Sequence, residues 1–241
     1  MSRRLMLRNA ASDTDLHITD LFCFDGILNA GQDAPHDNTK TSWVDLTGNS
    51  NAYNYWNSSY SPLWGDNCWR GDGGKRLFYF NPVEISSRTV FSIEFVCTLK
   101  GFTSDSSSGE RYGFALNNQI EASSRQRNFS IHFSRPTSVG EPKVSVTAFG
   151  GSVASEVAVD YNELLHFVVS CDGTNVTAYL NGSVIGSKSF TSNNFPARWW
   201  IGNWNYDFFF VGDIYRIGAD RQAFTASDVI ERFSYFNRRF S

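Results

Sequence analysis

Two short stretches of this 241-residue chain gather aromatic rings and amides closely enough to hold a sugar. The first, Tyr53-Asn54-Tyr55-Trp56-Asn57, is followed by Trp64, Asp66 and Asn67. The second runs Arg198-Trp199-Trp200 and then Asn203-Trp204-Asn205-Tyr206-Asp207. Indole and phenol rings offer flat faces to the C–H face of a sugar ring, while Asn, Asp and Arg hydrogen-bond its hydroxyls. The candidate carbohydrate contacts are Tyr53, Tyr55, Trp56, Trp64, Trp204 and Tyr206, with the Tyr53–Trp56 cluster favoured. A core role competes for some rings. Trp199-Trp200-Ile201-Gly202 reads as a strand, which turns one tryptophan inward and the other outward.

Residue sets that perform covalent chemistry are not found. There is no nucleophile elbow, no H-E-x-x-H pair and no phosphate-binding loop. His17 and His36 lie in polar segments; His132 and His166 lie in strand-like runs, where packing is the expected role. The four cysteines, Cys23, Cys68, Cys97 and Cys171, show no zinc-type spacing. A Cys97–Cys171 disulfide requires their strands to be neighbours; free, buried thiols are the favoured reading. A net charge of −3 gives no electrostatic basis for binding nucleic acid or an anionic membrane. No apolar run is long enough to cross a bilayer, and the basic start of the chain lacks the apolar stretch of a secretory signal. Arg3-Arg4 and Arg238-Arg239 read as solvated tails or as docking points for an acidic partner.

The elements that must carry these rings are strands. In Leu164–Phe190, Asp172-Gly173 and Asn181-Gly182 separate three β-branched runs, the pattern of tight antiparallel turns. Between the turns Val176, Ala178 and Leu180 alternate with Thr177, Tyr179 and Asn181. Further strands are expected at Leu21–Phe24, Arg76–Phe80, Thr89–Leu99, Arg111–Asn117, Asn128–Ser134, Lys143–Ala148 and Gly212–Ile217. Gly150-Gly151 reads as a turn, and Trp43 to Lys75 as a loop-rich insertion or an early hairpin. Aromatic residues at 16% and charged residues at 19% suit a well-filled sandwich with rings to spare. The last segment changes period. Thr225 and Asp228 form a helix cap, and Val229, Phe233 and Phe236 then share one apolar face. The expected organisation is an N-terminal arm over 1–20 and one all-β domain over 21–241.

The strand–DG–strand–NG–strand meander resembles laminin G-like domains of the concanavalin A-like lectin/glucanase group. Asp25-Gly26-Ile27 with Asn29 and Gly31 is similar to the opening of such domains in phage structural proteins and bacterial surface proteins. Thr41, Trp43, Asp45, Leu46, Thr47, Gly48 and Asn49 match the element that follows, and Phe224-Thr225, Asp228-Val229 and Arg239-Phe240 match the ending. The resemblance implies a two-sheet antiparallel jelly-roll sandwich with a short C-terminal helix. It also implies calcium as the metal to consider, with Asp25, Asn29, Asp33, Asp37 and Asn38 as candidate oxygen donors, although Asp and Asn are equally turn formers. Glucanases of this group carry E-x-D-x-x-E on one strand, since a glycosidase needs two carboxyls ~5–10 Å apart. Here Glu94 has no acidic partner at two or four residues, so a lone carboxylate on a solvated sheet face is expected. The functional expectation is a non-catalytic glycan-binding virion or surface protein. Its partners would be glycan, other virion proteins or a second copy of itself; purely structural assembly is the alternative, and a glycoside hydrolase ranks last. Expected placement is the virion, assembled in host cytoplasm, or a bacterial surface.

Overall fold

A computed structural model of the chain describes residues 19–54, 62–73, 78–82, 85, 88–102, 111–119, 127–135, 140–190, 198–202 and 209–240. Its strands in chain order are β1 (Phe22–Asp25), β2 (Ser42–Trp43), β3 (Ala52–Asn54), β4 (Trp69–Asp72), β5 (Phe78–Phe80), β6 (Val90–Phe102), β7 (Arg111–Gln119) and β8 (Arg127–Arg135). There follow β9 (Lys143–Ala148), β10 (Gly151–Ala158), β11 (Leu164–Asp172), β12 (Asn175–Leu180), β13 (Ser183–Ser189), β14 (Trp199–Ile201), β15 (Phe210–Asp220) and the helix α1 (Ala226–Phe240). One sheet has seven strands, ordered β1-β15-β6-β11-β12-β13 with β4 also on β15; the other has eight, ordered β10-β9-β8-β7-β14-β5-β3-β2. The named strand pairs are antiparallel, and the two sheets pack as a jelly-roll sandwich.

Alternation explains the layer between the sheets. Phe78 and Phe80 of β5, Trp199 and Ile201 of β14, and Phe129, Ile131 and Phe133 of β8 point inward. Phe95 and Phe167 meet them from the other sheet, where Phe167 stands edge-on to Phe133 at 6.0 Å. The turns behave as their residue types require. Asn181 and Gly182 both take positive φ (50° and 82°), the combination a two-residue hairpin needs. At Gly26 the backbone of Asn67 comes so near that a Cβ would lie 2.2 Å from its carbonyl oxygen, so only glycine fits after Asp25.

The opening motif is a backbone clamp. The Asp45 carboxylate accepts the N–H groups of Cys23, Thr47, Asn49 and Ser50 at 2.8–3.1 Å, with the Thr47 hydroxyl at 2.8 Å. Trp43 is fully buried and donates its indole N–H to the Asp25 carbonyl at 3.0 Å. The end of the expected arm already belongs to the sandwich. Thr19 is buried, and Asp20 binds Arg221 at 3.2 Å; residues 1–18 lie outside those described.

Three expectations change. The Gly150-Gly151 turn leads into a strand the sequence does not announce, because GSVASEVA lacks apolar alternation; β10 is a sheet edge broken by two register shifts, with Glu156 at a φ of 54°. Glu94 is not on a solvated face: α1 lies over the outer side of the seven-stranded sheet, and Glu94 is 0% exposed. Arg239 is not a solvated tail, since it reaches the buried Asp25 at 3.2 Å. Helix α1 has the expected reciprocal cap. The Thr225 N–H and hydroxyl each donate to Asp228 at 2.7 Å, and the Asp228 N–H donates back to the Thr225 hydroxyl at 3.3 Å. Val229 and Phe236 dock as expected, Phe233 is half-buried, and Arg232 and Phe240 are buried too. All four cysteines are free and buried. Although β6 and β11 are neighbours, Cys97 stands opposite Leu165 and Cys171 opposite Phe91, far out of register for a disulfide.

Candidate functional site

Two polar constellations stand out, one under each outer surface of the sandwich. Beneath α1, both oxygens of Glu94 are engaged. Arg232 forks onto them at 2.7 and 2.8 Å, Arg216 adds a contact at 3.1 Å, and His166 Nε2 lies 3.0 Å away. An ionised carboxylate only accepts, so Nε2 carries the imidazole proton toward it. Burial pushes the Glu94 carboxyl up; Arg232, His166 and Arg216 together outweigh burial and hold it well below the usual carboxylate range. Arg216 continues the network to Asp25 at 3.4 Å, where Arg239 also binds. Phe224 lies under the Arg232 guanidinium at 4.5 Å and Phe236 under that of Arg216 at 4.9 Å. The constellation clamps a helix to a sheet. A general acid must release its proton near working pH and reach a substrate; Glu94 is held ionised and fully buried.

The opposite surface carries a row of rings. Three neighbouring strands of the eight-stranded sheet present one aromatic each on the side away from the core. Tyr79 on β5 pairs in register with Tyr53 on β3 and with Trp200 on β14. The ring centres step 6.3 Å from Tyr53 to Tyr79 and 6.0 Å from Tyr79 to Trp200, with planes turned by 45° and 47°. Arg198 arches over the row, its guanidinium carbon 5.7 Å from the Tyr79 ring centre and 5.8 Å from that of Trp200. Beyond Trp200 the register continues to Asn117 on β7 and Ser130 on β8, both fully buried, with the Ser130 hydroxyl 3.2 Å from His132 Nδ1. Tyr53 is 51% exposed, and Arg198 forms no ion pair among the described residues. A row of flat apolar faces edged by a guanidinium can hold a ring that is apolar on one side and hydroxylated at its rim.

One ring from each aromatic cluster of the sequence, Tyr53 and Trp200, thus lies on one surface, with Tyr79 of β5 between them. Of the named carbohydrate contacts, Tyr53 is on this surface, whereas Tyr55, Trp56, Trp204 and Tyr206 lie outside the described residues. Trp64 is corrected to a core ring. It is only 8% exposed, stands edge-on to Trp43 at 5.4 Å, and donates its indole N–H to the Lys40 carbonyl. As the in-and-out reading requires, Trp199 is buried and Trp200 is half-exposed. Tyr79 was missed. The signal was present in Phe78-Tyr79-Phe80, where alternation places the tyrosine opposite two core phenylalanines.

The oxygen donors proposed for calcium do not fit the ion. Asp25 is buried between Arg216 and Arg239 and also accepts the Ile27 N–H at 3.0 Å. Asn29 exchanges two 2.9 Å hydrogen bonds with the backbone of Asp37, whose own carboxylate accepts the N–H and hydroxyl of Thr39. Asp33 is exposed, and Asn38 faces His36 at 2.9 Å. Among the described residues no three His, Cys, Asp or Glu side chains converge as a metal would require.

No protein-family model matches the sequence, and no curated protein is significantly similar to it. Solved structures share its fold. Trypanosoma rangeli sialidase in complex with sialic acid aligns with a TM-score of 0.64 and 10% identity over 91% of this chain. The alignment takes in 33% of that protein, so the present chain spans about a third of its length. Domain 4 of AbnA, a GH43 extracellular arabinanase from Geobacillus stearothermophilus, in complex with arabinotriose, aligns over 88% of this chain and 97% of its own, with a TM-score of 0.60 and 16% identity. The botulinum neurotoxin type G receptor binding domain aligns with a TM-score of 0.53 and 13% identity, over 90% of this chain and 51% of that one. Identities this low establish a shared β-sandwich fold.

Proposed function

We propose that the chain is a non-catalytic carbohydrate-binding module that lays a glycan across Tyr53, Tyr79 and Trp200, with Arg198 addressing its hydroxyls. The carrying observation is the in-register row of rings on the outer face of the sheet, with Tyr53 51% exposed at its end. Rings set side by side on a surface mark an interaction site more often than rings scattered singly. A domain of matching extent in complex with arabinotriose supports the choice of ligand class. The absence of catalysis is argued from Glu94, whose carboxylate is buried in a clamp of cations. Placement on a virion or cell surface follows from the resemblance of the Asp25–Asn49 segment to phage and surface proteins, and capsid or tail genes beside its own would support it.

A glycan array with the parent protein and the double variant Tyr79→Ala/Trp200→Ala tests the binding reading. The parent should be retained on a defined set of glycans. The variant should lose that retention by roughly tenfold or more while its melting temperature stays within a few degrees, as expected for rings outside the core. Equal retention of the folded variant would remove the platform from the account. A parent that binds no glycan and assembles into discrete oligomers by native mass would favour structural assembly instead.

A further inference from the structure

A cleft of about 390 Å³ opens between the C-terminal half of α1 and the seven-stranded sheet, on the opposite side of the sandwich from the aromatic row. Two asparagines at turn tips line it. Asn162 and Asn181 hold φ values of 64° and 50°, left-handed conformations that asparagine tolerates better than most residues. Asn181 Oδ1 accepts the His166 backbone N–H at 2.8 Å, which leaves its NH₂ group for another partner. The Asn162 amide and Glu163 carboxylate are exposed, and neither forms a side-chain hydrogen bond among the described residues. The buried Thr98 hydroxyl lies beside the Tyr215 phenol, yet closes no hydrogen bond of good geometry. Leu164, Phe233 and Phe240 supply the apolar part of the lining.

We infer that this cleft is a second binding site, for a single neutral sugar ring. Amides and hydroxyls each donate and accept, as sugar hydroxyls do, so the two sets satisfy one another. Among the described residues no lysine or arginine lines the cleft to attract an anion, and the one carboxylate is too few to hold a cation. The volume falls near the lower end of the ~300–1,000 Å³ typical of ligand pockets, which suits one ring and not a chain. A free monosaccharide and the terminal residue of a glycan present the same chemistry here.

Backbone-amide NMR titration of the whole protein separates these cases. The probes are the neutral monosaccharides glucose, galactose, mannose and arabinose, each supplied both free and as its methyl glycoside. At least one should saturably shift the amides of Asn162, Glu163 and Asn181 while leaving those of Tyr79 and Trp200 in place. A methyl glycoside that binds as well as its free sugar identifies the end of a glycan as the ligand; binding of the free sugar alone identifies a soluble sugar. Asn162→Asp and Thr98→Val, which preserve shape, should each weaken the binding about fivefold, the equivalent of one lost hydrogen bond. The inference is overturned if no probe shifts the cleft amides, or if both variants bind as the parent does. Shifts confined to Tyr79 and Trp200 would remove the cleft and leave the aromatic platform standing.

Discussion

Glu94 shows how much one side chain can depend on residues remote in the chain. Its partners Arg216 and Arg232 lie 122 and 138 positions away, and neither is exposed enough for water to replace the carboxylate. Glu94→Gln withdraws the buried carboxylate that Arg232 and Arg216 share, leaving Arg216 on Asp25, and should cost about 3–5 kcal/mol by urea denaturation at pH 7. The pH dependence has a definite sign. A carboxyl held below its unfolded value contributes its full stabilisation above about pH 4, and loses it as pH falls toward the folded value. The parent should therefore lose stability on acidification below about pH 4, and Glu94→Gln should lose less; parallel acid profiles would refute the assignment. Strand alternation was enough to place Glu94 with Ser92, Val96 and Thr98. What covers that side was not legible, because the covering cations come from other elements. Trp43 and Asp45 were legible, since a short motif contains most of the contacts that define them.

At the scale of elements, α1 is decided at its first turn. The Thr225–Asp228 exchange satisfies N–H groups that a helix start otherwise leaves open. Thr225→Ala should destabilise the protein by about 1 kcal/mol and raise amide exchange first at the start of α1. Unchanged protection there would show that packing of Val229 and Phe236 alone sets the helix. The cap could be read from residue types three positions apart, whereas the docking surface came with a surprise. Arg232, which a helical wheel assigns to a boundary, is buried because Glu94 waits beneath it. β10 escaped reading for the complementary reason: an edge strand with two register shifts has no regular pattern to read.

At the scale of the molecule, the two outer surfaces divide the work. One is closed by a helix and its ion pairs; the other carries the row of rings. Neither the strand order nor the meeting of Tyr53 with Trp200 could be read from the chain, since β14 enters between β5 and β7 from far along the sequence. The thiols give a global check. Burial pushes the Cys68 thiol up to about 11, and burial also raises those of Cys23, Cys97 and Cys171. Reductant should leave the melting temperature unchanged, and alkylation should need unfolding. A drop on reduction, of the size ~2–4 kcal/mol would produce, would reveal a disulfide instead.

The pairing of β1 with β15 carries a kinetic consequence. Asp25 meets Arg239 across 214 residues, so β1 finds its place only after a loop spanning most of the chain has closed. Refolding should be slow, in the milliseconds-to-seconds range or longer, with the free edge of β15 exposed to other chains in the meantime. Late docking of β1 makes a specific forecast for the chevron. Phe24→Leu, at a fully buried position, should speed unfolding and leave the refolding limb almost where it was. A slowed refolding limb would place β1 in the nucleus.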